Sequence, residues 1–97
     1  MEESVLIHGT PGLKYGKGKD GRFSCLGIEE NAQIDYSKPI YVASEIFGQT
    51  VVQINNDAFK NNPKIKYIYI PDSVEYISGT AFIACTNLEK IRFPKNL

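Results

Sequence analysis

The sequence contains few of the residues from which catalytic and metal sites are usually built. Among its 97 residues it has one histidine, His8, and two cysteines, Cys25 and Cys85. A single histidine excludes a multi-histidine metal site, and any catalytic triad would have to use His8. The two cysteines lack paired zinc-ligand spacing and are too few for a disulfide framework, so we expect reduced and mostly buried thiols. We therefore expect no enzymatic activity, no metal and no cofactor.

The chain also has no excess of one charge. Eleven Lys and Arg residues balance eleven Asp and Glu residues, whereas proteins that bind a phosphate backbone usually carry a basic surplus. Nucleic acid is therefore not an expected partner.

Long hydrophobic runs are missing as well. The apolar run at 81–85 is far shorter than the roughly 18 residues that a membrane-spanning helix needs, so we expect no membrane insertion. Residues 1–4 include two glutamates, where a signal peptide carries basic residues. This start fits a cytoplasmic protein or a chain whose export signal has been removed, and it leaves the location open.

What the sequence does contain is an internal repeat. Residues 51–73 and 74–96 align without a gap at a period of 23 residues, and Leu97 falls on the first position of a third copy. Such repeats bury their apolar faces by stacking on one another. We predict a single domain, 1–97, with repeat 1 at 51–73 and repeat 2 plus the start of a third at 74–97. The matched positions are mostly apolar and pair Val51 with Val74, Ile54 with Ile77, Ala58 with Ala81, Phe59 with Phe82, Ile68 with Ile91 and Pro71 with Pro94.

Within each copy the hydrophobic pattern changes along the chain. Ile68-Tyr69-Ile70 and Ile91-Arg92-Phe93 alternate between apolar and outward residues, and a proline follows each, which is typical of a short strand with one buried face. Asp57-Ala58-Phe59 and Thr80-Ala81-Phe82 place a helix-capping residue before two apolar residues. The pattern predicts an α/β solenoid of short parallel strands joined by short helical turns.

The N-terminal half, residues 1–50, departs from the period. Residues 40–44 resemble residues 68–72 but precede them by 28 positions instead of 23, so five residues are inserted within 45–50. Further upstream, Asp20-Gly21 lies between two alternating segments, as in a hairpin turn. We predict a β-hairpin over residues 5–28 that caps the solenoid, followed by a partial first repeat.

The apolar and polar residues of the repeat occur at the spacing of a known repeat family. Residues 70–77 read Ile-Pro-Asp-Ser-Val-Glu-Tyr-Ile, and they are followed by Ala81-Phe82, Cys85, Leu88 and Ile91. This pattern resembles the BspA-type leucine-rich repeat, and the resemblance covers residues 40–97. It implies a leucine-rich-repeat solenoid, and it suggests a cell-surface or secreted adhesin, because the family is similar to bacterial and protozoan surface proteins that attach to host or matrix proteins.

The outward residues of the two predicted strands are the candidate binding residues. Tyr67, Tyr69, Lys90 and Arg92 would share one face, and aligned strand faces are how solenoids bind. We expect another protein as partner. The alternative is a small intracellular inhibitor or regulator, phage- or mobile-element-encoded, that sequesters a bacterial protein.

The C-terminal edge is a second candidate surface. Ile83, Leu88, Ile91 and Phe93 would be left uncovered there, because the third copy has barely begun when the sequence stops. We predict a homodimer that pairs two such edges about a two-fold axis, with truncation from a longer solenoid as the competing explanation.

Overall fold

The computed structural model describes residues 3–95 as one helix and eight strands. No helix of this range is both long and apolar enough to cross a membrane. The predicted start of a third copy at Leu97 lies outside the described residues. The helix is α1 (Glu3–His8), and the strands are β1 (Leu13–Lys17), β2 (Phe23–Ile28), β3 (Ile40–Tyr41), β4 (Glu45–Ile46), β5 (Gln49–Ile54), β6 (Tyr67–Tyr69), β7 (Tyr76–Ile77) and β8 (Lys90–Arg92).

The strands form two sheets, and the pairing reproduces the spacing of the repeat. One sheet has the order β1-β2-β5-β4 with β7 also paired to β5, and the other has the order β3-β6-β8. Ile68 lies beside Ile91 in a parallel pair, and Ile54 lies beside Ile77 in another. Each pair is separated by 23 residues along the chain. A residue and its equivalent in the next repeat therefore lie side by side on adjacent strands of the same sheet.

A single hydrophobic cluster joins the two sheets. Cys25, Val51 and Ile54 contribute to it from one sheet, and Ile40 and Ile68 contribute from the other. Because side chains alternate across a strand, only one face of each short strand enters the cluster. The opposite face of the three-stranded sheet is left for solvent.

Burial is more complete in residues 51–73 than in residues 74–95. Ile70 is fully buried, whereas its counterpart Phe93 is 52% exposed. Phe59 is 2% exposed, while Phe82 is only partly buried and stacks on it with ring centroids 5.5 Å apart. Residues 51–73 pack between described residues on both sides, whereas residues 74–95 pack against described residues on one side.

Hydrogen-bonded turns occupy the places where short helical turns are expected. Within residues 55–61 and 78–85 the local backbone bonds run from residue i+3 to residue i, such as Ala58 N to Asn55 O at 3.2 Å. Phe59 N donates to Ala81 O at 2.8 Å and Asn61 N to Ile83 O at 2.9 Å. Residues 55–61 and 78–85 thus form hydrogen-bonded turns with no helix segment, and the helical part of the prediction is not confirmed.

The N-terminal segment also differs from the predicted hairpin over 5–28. Residues 5–8 belong to α1, and the antiparallel hairpin contains only β1 and β2. β2 then pairs in parallel with β5, so the hairpin borders the first full copy. At this border Gly27 has a φ of +125°, and a Cβ there would lie 2.0 Å from the carbonyl oxygen of Ala58. Only glycine allows the two backbones to approach this closely.

The difference in burial between the two stacked phenylalanines can be measured. Phe59→Ala should lower the free energy of unfolding by about 3–5 kcal/mol, because it leaves a cavity inside the cluster. Phe82→Ala should cost roughly half as much, because its ring is already partly hydrated. Urea unfolding followed by circular dichroism measures both. Equal losses for the two variants would contradict the burial difference.

The two cysteines should react at different rates. Both are free thiols; Cys25 is buried, and its desolvation raises its pKa to about 12. Cys85 is half-buried, and its Sγ donates to the carbonyl of Phe59 at 2.9 Å. A disulfide reagent at pH 8 should label Cys85 first and label Cys25 only as fast as the domain opens. Faster labelling of Cys25, with Cys25→Ser and Cys85→Ser as single-thiol controls, would contradict this order.

Candidate protein-binding face

The three strands β3, β6 and β8 present their outward side chains in one row. Tyr41 lies beside Tyr69, and Tyr69 lies beside Arg92 in the parallel register. Tyr67 and Lys90 are paired two residues earlier on the same strands. Since residues i and i+2 of a strand share a face, Tyr67, Tyr69, Lys90 and Arg92 all lie on the solvent side. The structure thus brings the four candidate residues together.

These side chains line a shallow groove of about 340 Å³. Ser37 and Pro39, from the segment before β3, form its border beside Tyr41. We call this the strand-face groove; its lining residues are Ser37, Pro39, Tyr41, Tyr67, Ile68, Tyr69, Lys90 and Arg92. Three of the eight lining residues are tyrosines, and the two charged ones are cationic.

Aromatic and cationic groups contact one another along the row. The rings of Tyr41 and Tyr69 have centroids 5.5 Å apart and are tilted by 36°. The guanidinium of Arg92 lies 4.6 Å from the centroid of the Tyr69 ring, within the range of a cation–π interaction. The row is therefore a continuous contact surface of two aromatic rings and one cation.

The guanidinium of Arg92 is also held in place by hydrogen bonds. Its Nη1 donates to the carbonyl of Ile70 and to Oδ1 of Asp72, each at 2.9 Å. Asp72 also accepts the backbone N–H of Lys95 at 2.9 Å. This N–H bond, followed by the bond from Arg92, lowers the pKa of the Asp72 carboxyl. Asp72 therefore stays ionised and orients Arg92 across the groove.

Lys90 differs from Arg92 in having no such partner. The ion pairs of residues 3–95 join Arg22 to Asp20 and Glu75, and Arg92 to Asp72. The nearest acid along the chain, Glu89, instead accepts a hydrogen bond from the hydroxyl of Tyr67 at 3.3 Å. Lys90 is exposed, so its ammonium group is available to an anionic ligand.

The sequence marks Tyr41, with Tyr67 and Tyr69, as a tyrosine at a predicted strand that suits an interface, and the structure places it beside Tyr69. Ser37 and Pro39 were not predicted as binding residues. Ser37 and Pro39 lie in an irregular segment that carries no periodic signal. A second cavity of about 420 Å³ begins at Pro39 and Tyr41 and continues along residues 9–11 and 33–38.

The predicted C-terminal edge is partly exposed. Ile83 and Phe93 are 49% and 52% exposed, whereas Leu88 and Ile91 are packed against the hydrophobic cluster. Pairing of two such edges stays a prediction.

Residues suited to metal binding or acid–base chemistry are dispersed. Within the described part of the chain no three His, Cys, Asp or Glu side chains gather closely enough to hold a metal ion. His8 lines a different cavity, together with Glu45, Ile46, Phe47 and Gly48. The strand-face groove therefore has no imidazole among its lining side chains.

Comparisons with known proteins agree on the repeat family. Residues 36–97 match the model of the BspA type leucine rich repeat region (6 copies). The chain is similar to the solved leucine rich repeat protein of T. pallidum, with 26% identity and a TM-score of 0.75, covering 88% of this chain and 38% of that one. A solved leucine-rich repeat protein from Bacteroides ovatus ATCC 8483 shares the fold, with 24% identity and a TM-score of 0.72 over 89% of this chain and 23% of that one. No curated protein sequence matches the chain.

The contact between Asp72 and Arg92 can be tested by titration. In Arg92→Gln the pKa of Asp72 should rise but stay below its ordinary value, because the Lys95 N–H bond lowers it most. In the wild type and in the variant, the lowered pKa of Asp72 stabilises the folded state at pH values above the ordinary carboxyl pKa. This stabilisation is lost as the pH falls through the lowered pKa. Carboxyl-carbon NMR measures the shift, with Asp35, whose pKa is lowered by Ser37, as the control that should not move. An unchanged Asp72 would contradict the contact.

Proposed function

The chain belongs to the BspA-type leucine-rich-repeat family, and on this premise we propose that it is a non-catalytic module that binds another protein through the strand-face groove. The observation that supports this proposal most directly is the row of Tyr41, Tyr69 and Arg92. Lys90, which forms no ion pair with any acid of residues 3–95, lies beside it. The chain spans 38% and 23% of the two solved chains described above, so the proposal concerns this segment.

The composition of the groove suits protein binding. Tyrosine and arginine are enriched among the residues that contribute most to interface affinity. Tyr69 and Arg92 contact each other, and Asp72 fixes the guanidinium before any ligand arrives. Side chains that are already ordered lose less conformational entropy on binding. The groove is therefore pre-organised at its centre, while Lys90 and Tyr67 remain exposed at its border.

A catalytic role has no support in the groove. Its one aliphatic hydroxyl, on Ser37, donates to Asp35 Oδ1 at 2.5 Å. This bond lowers the pKa of the Asp35 carboxyl, so the carboxylate is a weak base, and the groove has no imidazole among its lining residues. Hydrolysis by an activated serine needs a base within hydrogen-bond reach of the nucleophile. The groove residues therefore support binding better than catalysis.

The proposal can be tested with a pair of matched double variants. Tyr67→Ala with Lys90→Glu changes the exposed border of the groove and leaves the Arg92 contacts intact. Tyr76→Ala with Lys60→Glu makes the same two changes on exposed residues outside it. Cross-linking capture from the source cell or its host should recover one partner with the wild type and the control, and lose at least roughly 90% of it with the groove variant, equivalent to about 1.4 kcal/mol.

Thermal melts of the three proteins provide the necessary control, since equal midpoints exclude unfolding as the cause. Equal recovery by the groove variant would contradict binding through this face. The identity of the captured protein separates the two functional hypotheses. A host or matrix protein supports an adhesin-like role, and a bacterial protein of the same cell supports an inhibitor or regulator.

A further inference from the structure

The five-residue insertion forms a small hairpin with an exposed phenylalanine at its tip. Glu45 pairs with Thr50 and Ile46 with Gln49, which leaves Phe47 and Gly48 as a two-residue turn between β4 and β5. Phe47 is 95% exposed, more than any other large hydrophobic side chain of residues 3–95. The residues that interrupt the 23-residue period are thus the residues that present this ring.

The backbone at Phe47 is unfavourable for its side chain. Phe47 has a φ of +50° and Gly48 a φ of +78°. Two-residue hairpin turns with positive φ at both central residues favour asparagine and glycine, and a bulky residue in this region is an outlier. Since the Phe47 side chain is 95% exposed among the described residues, the fold gains little from it. Strained residues of this kind are often functional.

The tip also carries an unpaired carboxylate. Glu45 is exposed and takes part in none of the ion pairs of the described residues. The hairpin therefore offers an aromatic ring and a negative charge two residues apart. The strand-face groove offers the complementary groups: tyrosine rings, and the ammonium of Lys90, which is unpaired within the same described range.

We propose that the strand-face groove binds the β4–β5 hairpin of a second copy of this chain, with Phe47 against the tyrosine rings and Glu45 paired with Lys90. The proposal rests on the function proposed above, because it names the occupant of the same groove. A groove of about 340 Å³ is at the small end of ligand sites, which suits one aromatic side chain better than a whole folded element.

The contact is heterologous, because the donor and acceptor surfaces are different parts of the molecule. The hairpin belongs to the sheet that contains β5, and the groove belongs to the sheet of β3, β6 and β8. A heterologous contact can extend from copy to copy, unlike the pairing of two identical edges. It would also compete with any other protein for the groove, and self-association would then limit access to it.

Two variants, each disabling one side of the contact, test the proposal. Phe47→Asn removes the ring and places at this turn a residue that accepts positive φ, so the fold is retained. Tyr67→Ala with Lys90→Glu disables the groove. In sedimentation equilibrium the wild type should associate as its concentration rises, and each variant alone should remain monomeric.

Mixing the two variants in equal amounts should restore a complex, because one still has an intact groove and the other an intact hairpin. A complex of one copy of each is the expected product. The charge exchange Glu45→Lys with Lys90→Glu in a single chain should likewise restore association that either single change weakens by roughly tenfold or more. Phe93→Ser and Tyr76→Ala, which alter exposed hydrophobic residues elsewhere, should associate like the wild type.

Three results would overturn the proposal. A wild type that stays monomeric at millimolar concentration excludes it, and so does a mixture of the two variants that forms no complex. Association that persists in Phe47→Asn and disappears in Phe93→Ser would assign the contact to the C-terminal edge instead. A monomeric wild type that still captures another protein through Tyr67 and Lys90 would overturn this inference while supporting the function proposed above.

Discussion

The structure depends on backbone hydrogen bonds that each copy of the repeat makes to the next. Glu75 N donates to Val52 O at 2.7 Å on one side of the solenoid, and Glu89 N donates to Lys66 O at 2.8 Å on the other. Between them, Phe59 N donates to Ala81 O. Without a neighbouring copy these N–H groups would bond to water, and the apolar residues between the copies would be exposed. Both the bonds and the burial are kept only in a stack, which requires a constant number of residues per turn.

The constant spacing also explains which side chains are neighbours on the solvent face. Once Ile68 and Ile91 are fixed side by side in the core, the neighbouring Tyr69 and Arg92 must be side by side on the outside. The cation–π contact and the orientation of Arg92 by Asp72 follow from this placement. The face is thus a consequence of core packing, and its chemistry can change without affecting the register beneath it.

The sequence predicted the strands of the repeat and missed the features that depend on contacts between copies or on the insertion. The 23-residue period and strand alternation indicated β6, β8 and the side on which Tyr69 and Arg92 lie, because buried positions recur visibly in both copies. The turns at residues 55–61 were interpreted as helical, because Asp57-Ala58-Phe59 has the local pattern of a helix start and the deciding bonds go to the next copy. Phe47-Gly48 lacks the usual Asn-Gly signal of a tight hairpin. The insertion was therefore located in the sequence, but its shape was not predicted.

The β4–β5 hairpin shows where this architecture tolerates a change in length. An added residue inside a strand or turn would shift every later pairing, whereas the five residues between β3 and β5 lengthen the chain and leave Ile40 beside Ile68 and Ile54 beside Ile77. In evolutionary terms the junction permits diversification, since new sequence can be inserted there without a compensating change elsewhere. For protein engineering it is the natural position at which to graft a foreign loop.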